Sequence, residues 1–253
     1  AYKHVPLMEE NPSQSIYTNV LGTKNVADLS IKHGVDRFVM VSTDKAVNPS
    51  SVMGASKRIA EKVVKHASSR CEDHQAFVSV RFGNVLGSRG SVIPLFKRQI
   101  AEGGPITLTH PDVTRYFMTI PEAVSLVIKA GSMDEQGKLY ILDMGEPVKI
   151  ADLARRLIQL SGFDPDKGDI SIVYTGLRPG EKLTEELLTE GENVKRTEIG
   201  KVFATEPDHV NCDELWKSVE RLEDLATAAD TEAIRQQLKS LIPDYQPSPP
   251  PER

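Results

Sequence analysis

A hydroxyl, a carboxylate and an amine stand side by side directly after a strongly apolar stretch of this chain. Residues 42–45 read Ser-Thr-Asp-Lys, and they follow Phe-Val-Met-Val at residues 38–41, a run typical of a buried strand. Such side chains can hydrogen-bond a substrate oxygen, donate a proton and accept one. Because open α/β sheets bind ligands at the carboxyl ends of their strands, the sequence predicts an active site here.

A second amine lies on the helix predicted after this run, from about residue 50 to residue 69. Met53 and Lys57 are four residues apart, so they share one face of that helix. An isolated Asp-Lys pair is more often a solvated turn, and an isolated methionine more often fills the core. The position after a buried strand and before Lys57 favours the catalytic interpretation of Asp44 and Lys45.

The composition indicates a globular protein and excludes several functional classes. Of the 253 residues, 39% are hydrophobic and 26% charged, and 31 Lys and Arg against 36 Asp and Glu disfavour a nucleic-acid surface. Cys71 and Cys212 are distant in sequence and the histidines lack ligand spacing, so we expect no metal site. No apolar run reaches the roughly 18 residues of a membrane span. We expect a cytoplasmic location and no membrane contact by this chain.

Helical and strand periodicities alternate along the chain. A helix from about 14 to 33, with apolar positions at Ile16, Val20, Val26 and Leu29, precedes strands at 38–42 and 76–82. Strand, helix and strand in this order imply a right-handed parallel crossover. The predicted fold class is α/β, a Rossmann-like doubly wound parallel sheet with a smaller α/β substrate-binding region.

Four regions are predicted along the chain. Residues 1–85 are the C-terminal part of a dinucleotide-binding domain, and residues 86–210 mainly bind substrate, with some segments returning to the main sheet. Residues 211–242 form amphipathic helices, and residues 243–253 are a proline-rich tail without core-forming residues.

The glycine-rich turn of dinucleotide-binding domains is missing from the sequence. No G-x-G-x-x-G occurs, although the remaining pattern matches the back half of such a sheet. We therefore expect that the first strands of the domain, on the order of 60 residues at roughly 30 per βαβ unit, lie outside this chain. The alternative is a complete fold without that turn. Lacking the turn, the chain alone is expected to bind cofactor poorly.

Six motifs, all in order, resemble those of one family. They lie at residues 1–6, 42–49, 53–57, 81–92, 114–119 and 177–182. Together they resemble the extended short-chain dehydrogenase/reductase superfamily and, more narrowly, the UDP-N-acetylglucosamine 4,6-dehydratases of bacterial polysaccharide biosynthesis. The superfamily's Tyr-x-x-x-Lys pair is here Met53-x-x-x-Lys57, as in long, membrane-anchored members. This implies an inner-membrane anchor in the full-length protein, with the catalytic domain on the cytoplasmic side.

The resemblance implies an internal redox cycle on a UDP-sugar. Tightly bound NAD or NADP takes hydride from C4, water leaves across C5 and C6, and hydride returns to C6. Thr43 is expected to hydrogen-bond the 4-oxygen, Asp44 to be the acid for the departing hydroxyl, and Lys45 to be the base for the C5 proton. Burial is expected to raise the pKa of Asp44 and to lower that of Lys45. Met53 cannot carry a proton, so the 4-hydroxyl proton is expected to pass through Thr43 and water to Asp44 or Lys45.

The resemblance also implies binding residues. Lys57, Ser42 and Ala1 are expected at the cofactor, with Lys57 on the nicotinamide ribose hydroxyls. Guanidinium and amide groups suit a diphosphate, and the expected substrate ligands are Lys3, Asn84, Arg89, Arg115, Arg178 and Glu181. For any isolated arginine or lysine among them, a solvated surface position is the alternative.

Two other functions stay open at this point. A nucleotide-sugar C4-epimerase or 4-keto reductase shares the scaffold and cofactor, but C4 epimerisation needs no acid for a 6-hydroxyl, so Asp44 and Lys45 favour elimination. A non-catalytic nucleotide-sugar-binding module would explain Met53. The choice of NAD or NADP depends on a residue outside the chain. We expect a homo-oligomer.

Overall fold

The computed structural model describes residues 1–133, 135–189, 192–205 and 211–247. Within them the α-helices are α1 (Val5–Glu10), α2 (Pro12–Ser15), α3 (Gly22–Lys32), α4 (Val52–Ser68), α5 (Val92–Ala101), α6 (Ile120–Gly131), α7 (Ile150–Leu160), α8 (Cys212–Thr227) and α9 (Thr231–Leu241). The strands are β1 (Arg37–Val41), β2 (Ala76–Arg81), β3 (Asn84–Val85), β4 (Ile106–Leu108), β5 (Thr114–Arg115), β6 (Phe117–Met118), β7 (Leu139–Leu142), β8 (Val148–Lys149), β9 (Ile172–Tyr174), β10 (Lys195–Arg196) and β11 (Val202–Thr205).

The main sheet has five strands in the order β1-β2-β7-β11-β10. β1, β2 and β7 are parallel, with Val41 opposite Val80 and Ser79 opposite Leu139. β11 and β10 are antiparallel additions. The α4 helix forms the crossover from β1 to β2, so the predicted parallel α/β fold is confirmed, and the carboxyl ends of the parallel strands share one edge.

A smaller region packs beside this edge. Its parallel pair β4 and β9 shares an apolar core with α5 and α7, built on buried residues such as Phe96, Ile106 and Ile158. Two further short strand pairs form, β3 with β6 and β5 with β8. Their residues lie in segments between elements of the main sheet and elements of the smaller region. Strands β7, β10 and β11, all from residues 86–210, belong to the main sheet.

The helix predicted over residues 14–33 is interrupted. Residues Ile16–Leu21 form a π-helical turn between α2 and α3. Ile16 and Val20 are fully buried, whereas Val26 and Leu29 are exposed. A π turn inserts an extra residue, which rotates the downstream face by roughly the 100° step of one residue. The apolar positions before and after the turn therefore do not share a face.

The predicted tail contains a core residue. Tyr245 is fully buried in a cluster with Ile242, Leu238 and Leu215, and this cluster also packs against α4. The prediction that residues 243–253 contribute nothing to the core is therefore wrong for Tyr245. The chain is held there because the Gln246 N–H donates to the Pro49 carbonyl at 2.9 Å. Residues 248–253 of the predicted tail lie outside the described residues.

β1 is an edge strand with apolar surroundings. In the part of the chain that the structure describes, it pairs only with β2. Two of the helices that contact it, α3 and α6, carry exposed apolar residues, including Leu29, Val124 and Ile128. Such an edge can receive further strands. Across the described residues, we find no helix long and apolar enough to span a bilayer.

Candidate active site

A cavity of about 600 Å³ lies at the carboxyl ends of β1 and β2. Val41, at the end of β1, and Phe82, directly after β2, contribute to its wall. The smaller region supplies the opposite wall through residues 107–109 and 178–181, and residues 1–6 close one side. The cavity is thus where parallel α/β sheets place their ligands.

Three of the predicted catalytic residues, Thr43, Asp44 and Lys45, form a hydrogen-bonded cluster at this point. Thr43 caps a short 3-10 turn formed by Asp44–Ala46, and its hydroxyl donates to Asp44 Oδ1 at 2.8 Å. Lys45 Nζ donates to the same oxygen at 3.0 Å. Thr43 and Lys45 line the cavity, whereas the Asp44 carboxylate is buried behind them, with Oδ2 lacking a hydrogen-bond partner among the described residues. Asp44 therefore contacts both cavity-lining groups.

The charge of Lys45 differs from expectation. Burial alone would lower the pKa of Lys45, but the carboxylates of Asp44 and Glu185 outweigh it, so that its pKa is raised. Glu185 Oε1 lies 3.3 Å from Lys45 Nζ, and Asn84 Oδ1 accepts from the same nitrogen at 3.4 Å. The predicted lowering is therefore wrong. In the structure, Lys45 is an ammonium that contacts two carboxylates.

Met53 and Lys57 share the face of α4 that lines the cavity. Lys57 Nζ donates to the Val41 carbonyl at 2.6 Å and lies 3.4 Å from Met40 Sδ. Burial lowers the pKa of Lys57, and the Glu61 carboxylate partly opposes this. With one donor on the Val41 carbonyl and one directed at Met40 Sδ, the ammonium has a third to offer a ligand.

Ser42 faces a buried ionic network, which the sequence reasoning did not identify. Its hydroxyl donates to Glu61 Oε1 at 2.5 Å, and Arg81 Nη2 donates to Glu61 Oε2 at 2.8 Å. Arg58 and Glu192 complete the network, with Arg81 Nη1 and Glu192 Oε2 3.1 Å apart. Although Ser42 contributes to the cavity wall, its hydroxyl is committed to Glu61. The network fixes α4 against the ends of β1 and β2.

Gly54 lets α4 approach the catalytic turn. A Cβ at this position would lie 2.1 Å from the Lys45 carbonyl oxygen. We expect Gly54→Ala to lower the free energy of unfolding by about 1–3 kcal/mol, because backbone atoms must shift. The control is Gly22→Ala in α3, where the nearest atom would be 3.4 Å away, and which should be neutral or stabilising by up to about 1 kcal/mol. Urea denaturation of both variants tests this, and equal stabilities would contradict it.

Several of the predicted ligands reach the cavity. Asn84, Arg178 and Glu181 line it, and so do Ala1 and Lys3. Lys3 Nζ donates to the Ser88 hydroxyl at 3.4 Å. Glu181 Oε2 lies 3.5 Å from Arg178 Nε.

Arg115 also lines the cavity, but its guanidinium is bound by protein groups. It donates to the Thr114 carbonyl at 2.7 Å and lies 3.3 Å from Glu181 Oε1. Glu181 thus contacts both Arg115 and Arg178. Such a carboxylate can orient two guanidinium groups toward an anionic ligand.

Arg89 is not brought to the cavity. It is exposed between Gly87 and Gly90, whose positive φ angles of 74° and 68° shape a turn. Its neighbours Ser88 and Gly90 line the cavity, but Arg89 does not. The prediction of Arg89 as a ligand corresponds to no contact in the structure.

Glu185 is a further charged residue of the site that the sequence reasoning missed. It is 4% exposed and lines the cavity between Lys45 and Arg115. It lies outside any helix or strand, so no periodicity distinguishes it from its exposed neighbour Glu186. Among the residues the structure describes, no group of three His, Cys, Asp or Glu could hold a metal ion.

The parallel sheet, the cavity at its strand ends and Lys57 on the crossover helix define a Rossmann-like protein of the short-chain dehydrogenase/reductase type. The chain belongs to the polysaccharide biosynthesis protein family, whose model matches residues 1–207. The predicted membership of a polysaccharide-biosynthesis family of the short-chain dehydrogenase/reductase type is confirmed.

Two curated relatives and one solved structure illustrate the similarity. The capsular polysaccharide biosynthesis protein CapD of Staphylococcus aureus is 58% identical over 211 residues, covering 83% of this chain and 34% of the relative. The probable polysaccharide biosynthesis protein EpsC of Bacillus subtilis is 56% identical over 192 residues, 76% of this chain and 31% of the relative. The structure of Pen from Bacillus thuringiensis has a TM-score of 0.75 at 33% identity, covering 88% of this chain and 73% of that one. The chain thus spans about a third of the length of these curated relatives.

Proposed function

We propose that this chain is the catalytic part of a nucleotide-sugar 4,6-dehydratase that forms the UDP-4-keto-6-deoxy sugar from UDP-N-acetylglucosamine. The product would enter the synthesis of a capsule or O-antigen polysaccharide. The observation that carries the proposal is the contact of Asp44 with both the Thr43 hydroxyl and the Lys45 ammonium at the cavity wall. Elimination of water needs an acid and a base side by side, and this cluster offers both.

Each member of the cluster has a proposed task. Thr43 hydrogen-bonds the 4-oxygen from the cavity wall. Asp44 supplies the proton for the departing 6-hydroxyl through the Thr43 hydroxyl, 2.8 Å away, because its own carboxylate is buried. Lys45 takes the C5 proton once its own proton has been given up. Met53 forms apolar wall and carries no proton.

The proposed cofactor is NAD or NADP, which when bound supplies the hydride acceptor and donor. Lys57 fits this group, because its partly buried ammonium sits at the end of β1 with one donor left for a ribose hydroxyl. Ala1 lies on the cavity wall as a further contact, while Ser42 would act through its backbone. DesIV, a dTDP-glucose 4,6-dehydratase of Streptomyces venezuelae with the same fold (TM-score 0.65, 22% identity), was solved with NAD bound.

The proposed substrate ligands follow from the cavity wall. Arg178 is the exposed guanidinium there and is proposed for the diphosphate, with Lys3 and Asn84 nearer the sugar. Arg115 and Glu181 form an ion pair in the same wall and are proposed to orient Arg178 and the ribose.

We further propose that this chain alone is inactive. Its sequence lacks the glycine-rich turn, and among the described residues β1 pairs only with β2 and has exposed apolar residues on the neighbouring helices α3 and α6. Strands from a dinucleotide-binding part are proposed to complete that edge in the full-length protein, which is anchored to the inner membrane and homo-oligomeric. A relative from Methanocaldococcus jannaschii, MJ1061, is named as a membrane protein and is 44% identical over 246 residues.

A C4-epimerase is the second candidate. A Rickettsia canadensis UDP-glucose 4-epimerase is 38% identical over 204 residues, covering 80% of this chain and 58% of that protein. Epimerisation uses the same oxidation at C4 but needs no acid for the 6-hydroxyl. The buried Asp44 beside Lys45 therefore favours the dehydratase.

The test is mass spectrometry of UDP-N-acetylglucosamine after incubation with the full-length protein that contains this chain, run beside the chain alone. We expect loss of one water only with the full-length protein. A product of unchanged mass but altered chromatographic position would establish the epimerase instead. Binding without any product would establish the non-catalytic module, and turnover by the chain alone would refute the proposed incompleteness.

A further inference from the structure

Glu185 sits where the proposed reaction must control a proton. Its carboxylate lines the cavity and places Oε1 3.3 Å from Lys45 Nζ and 3.7 Å from Arg115 Nε. Its Oε2 is buried and has no hydrogen-bond partner among the described residues. The adjacent Glu186 differs, because its Oε2 binds Asn48 at 2.8 Å and Lys182 at 3.4 Å on the surface. Only the first of the two glutamates faces Lys45.

Lys45 is enclosed by groups from three segments. Asp44 lies beside it in the same turn, Glu185 approaches from the loop after the Arg178 motif, and Asn84 Oδ1 approaches from β3. Arg115, in β5, is the cation that faces the cluster, and it opposes the two carboxylates by lowering the pKa of Lys45. Two carboxylates from different segments thus fix the direction of one ammonium.

We infer that Glu185 is a positioning residue that holds the Lys45 ammonium in place and sets its charge before the proposed elimination. The inference rests on the proposed function insofar as Lys45 is taken to be a reacting group. Without Glu185, Lys45 would keep one carboxylate partner, Asp44. The repulsion between Arg115 and the Lys45 ammonium would then be offset by one carboxylate instead of two.

The proton balance of the elimination follows from this arrangement. Lys45 must first pass its proton to Asp44 across the 3.0 Å contact, which leaves an amine and a carboxylic acid. The amine then takes the C5 proton while the acid gives its proton, through the Thr43 hydroxyl 2.8 Å away, to the departing 6-hydroxyl, which leaves as water. Afterwards Lys45 is again an ammonium and Asp44 a carboxylate. The contact of Glu185 with Lys45 keeps the Lys45 side chain oriented throughout.

The experiment measures the charge of Lys45 without substrate. The full-length protein is treated with trace acetic anhydride across a pH series, and acetylation of Lys45 is quantified by peptide mass spectrometry. Only the neutral amine reacts, so reactivity below the pKa rises tenfold for each unit by which the pKa falls. Because Glu185 raises the pKa of Lys45, we expect Glu185→Gln to increase Lys45 acetylation about tenfold at a fixed pH below that pKa.

Matched variants make the result decisive. Glu186→Gln removes the neighbouring carboxylate and should leave Lys45 acetylation unchanged. Glu185→Asp keeps the charge but withdraws it by one methylene, so reactivity should fall between the parent and Glu185→Gln; this variant also carries the test if the glutamine variant folds poorly. Equal Lys45 reactivity in the parent and both Glu185 variants would overturn the inference. The labelling needs no turnover. Its result therefore tests the role of Glu185 even if the mass assay shows no dehydration.

Discussion

Asp44→Asn is expected to reduce kcat for dehydration about 10²–10⁴-fold, the contribution of a positioned acid or base. An amide keeps the size of the side chain but cannot supply the proton for the departing hydroxyl, nor take one from Lys45. Asp44 is buried behind Thr43 and Lys45, so it does not form the wall that a substrate touches. KM should therefore change little, and the loss should appear in kcat.

The control for this variant is Asp143→Asn. Asp143 also follows a parallel strand, β7, but it is exposed and accepts the Gly145 N–H at 3.0 Å. Its replacement should leave kcat within about twofold, because it lies outside the cavity wall. Steady-state kinetics with UDP-N-acetylglucosamine and the full-length proteins compares the two variants. An unchanged dehydration rate in Asp44→Asn would remove Asp44 from the mechanism.

The sequence predicts elements well where one periodicity covers the whole segment. Strand β1 and helix α4 match the predicted residues to within two positions at each end, because the first is a continuous apolar run and the second a regular amphipathic pattern. The prediction of one regular helix over residues 14–33 fails because the π-helical turn at Ile16–Leu21 rotates the apolar face in the middle of the segment. Tyr245 was missed because a single aromatic among prolines has no periodicity at all.

For the candidate site, the sequence identifies the residues of local motifs but not their partners. Thr43, Asp44 and Lys45 are adjacent in the chain, so their proximity follows from the sequence itself. Glu185 reaches Lys45 across 140 positions, and nothing local distinguishes it from Glu186. The predicted direction for the pKa of Lys45 is wrong because burial alone does not decide it: the adjacent Asp44 carboxylate, and after it the distant Glu185, outweigh burial.

Glu61→Gln is expected to lower the free energy of unfolding by about 3–5 kcal/mol. Glu61 is fully buried and binds Arg81 through both carboxylate oxygens, at 2.8 and 3.2 Å, so its replacement leaves a buried guanidinium without full compensation. The control is Glu122→Gln, which breaks an exposed 2.7 Å contact with Lys201 and should lower the free energy of unfolding far less, because water screens an exposed ion pair. Urea denaturation near neutral pH measures both, and similar losses would contradict the buried network's importance.

The same carboxylate predicts how stability depends on pH. Burial would raise the pKa of Glu61, but Arg81, Arg58 and the Ser42 hydroxyl together lower it below its ordinary value. A depressed pKa stabilises the fold at pH values above the ordinary glutamate pKa of about 4.3, and this contribution is lost as the pH falls further. The parent protein should therefore lose this stabilisation on acidification, whereas Glu61→Gln, already destabilised, should show a flatter profile below about pH 4. The measurement is the free energy of unfolding of both proteins as a function of pH. If the two curves fell in parallel below about pH 4, carboxylates other than Glu61 would cause the acid destabilisation, and the proposed role of Glu61 in it would be wrong.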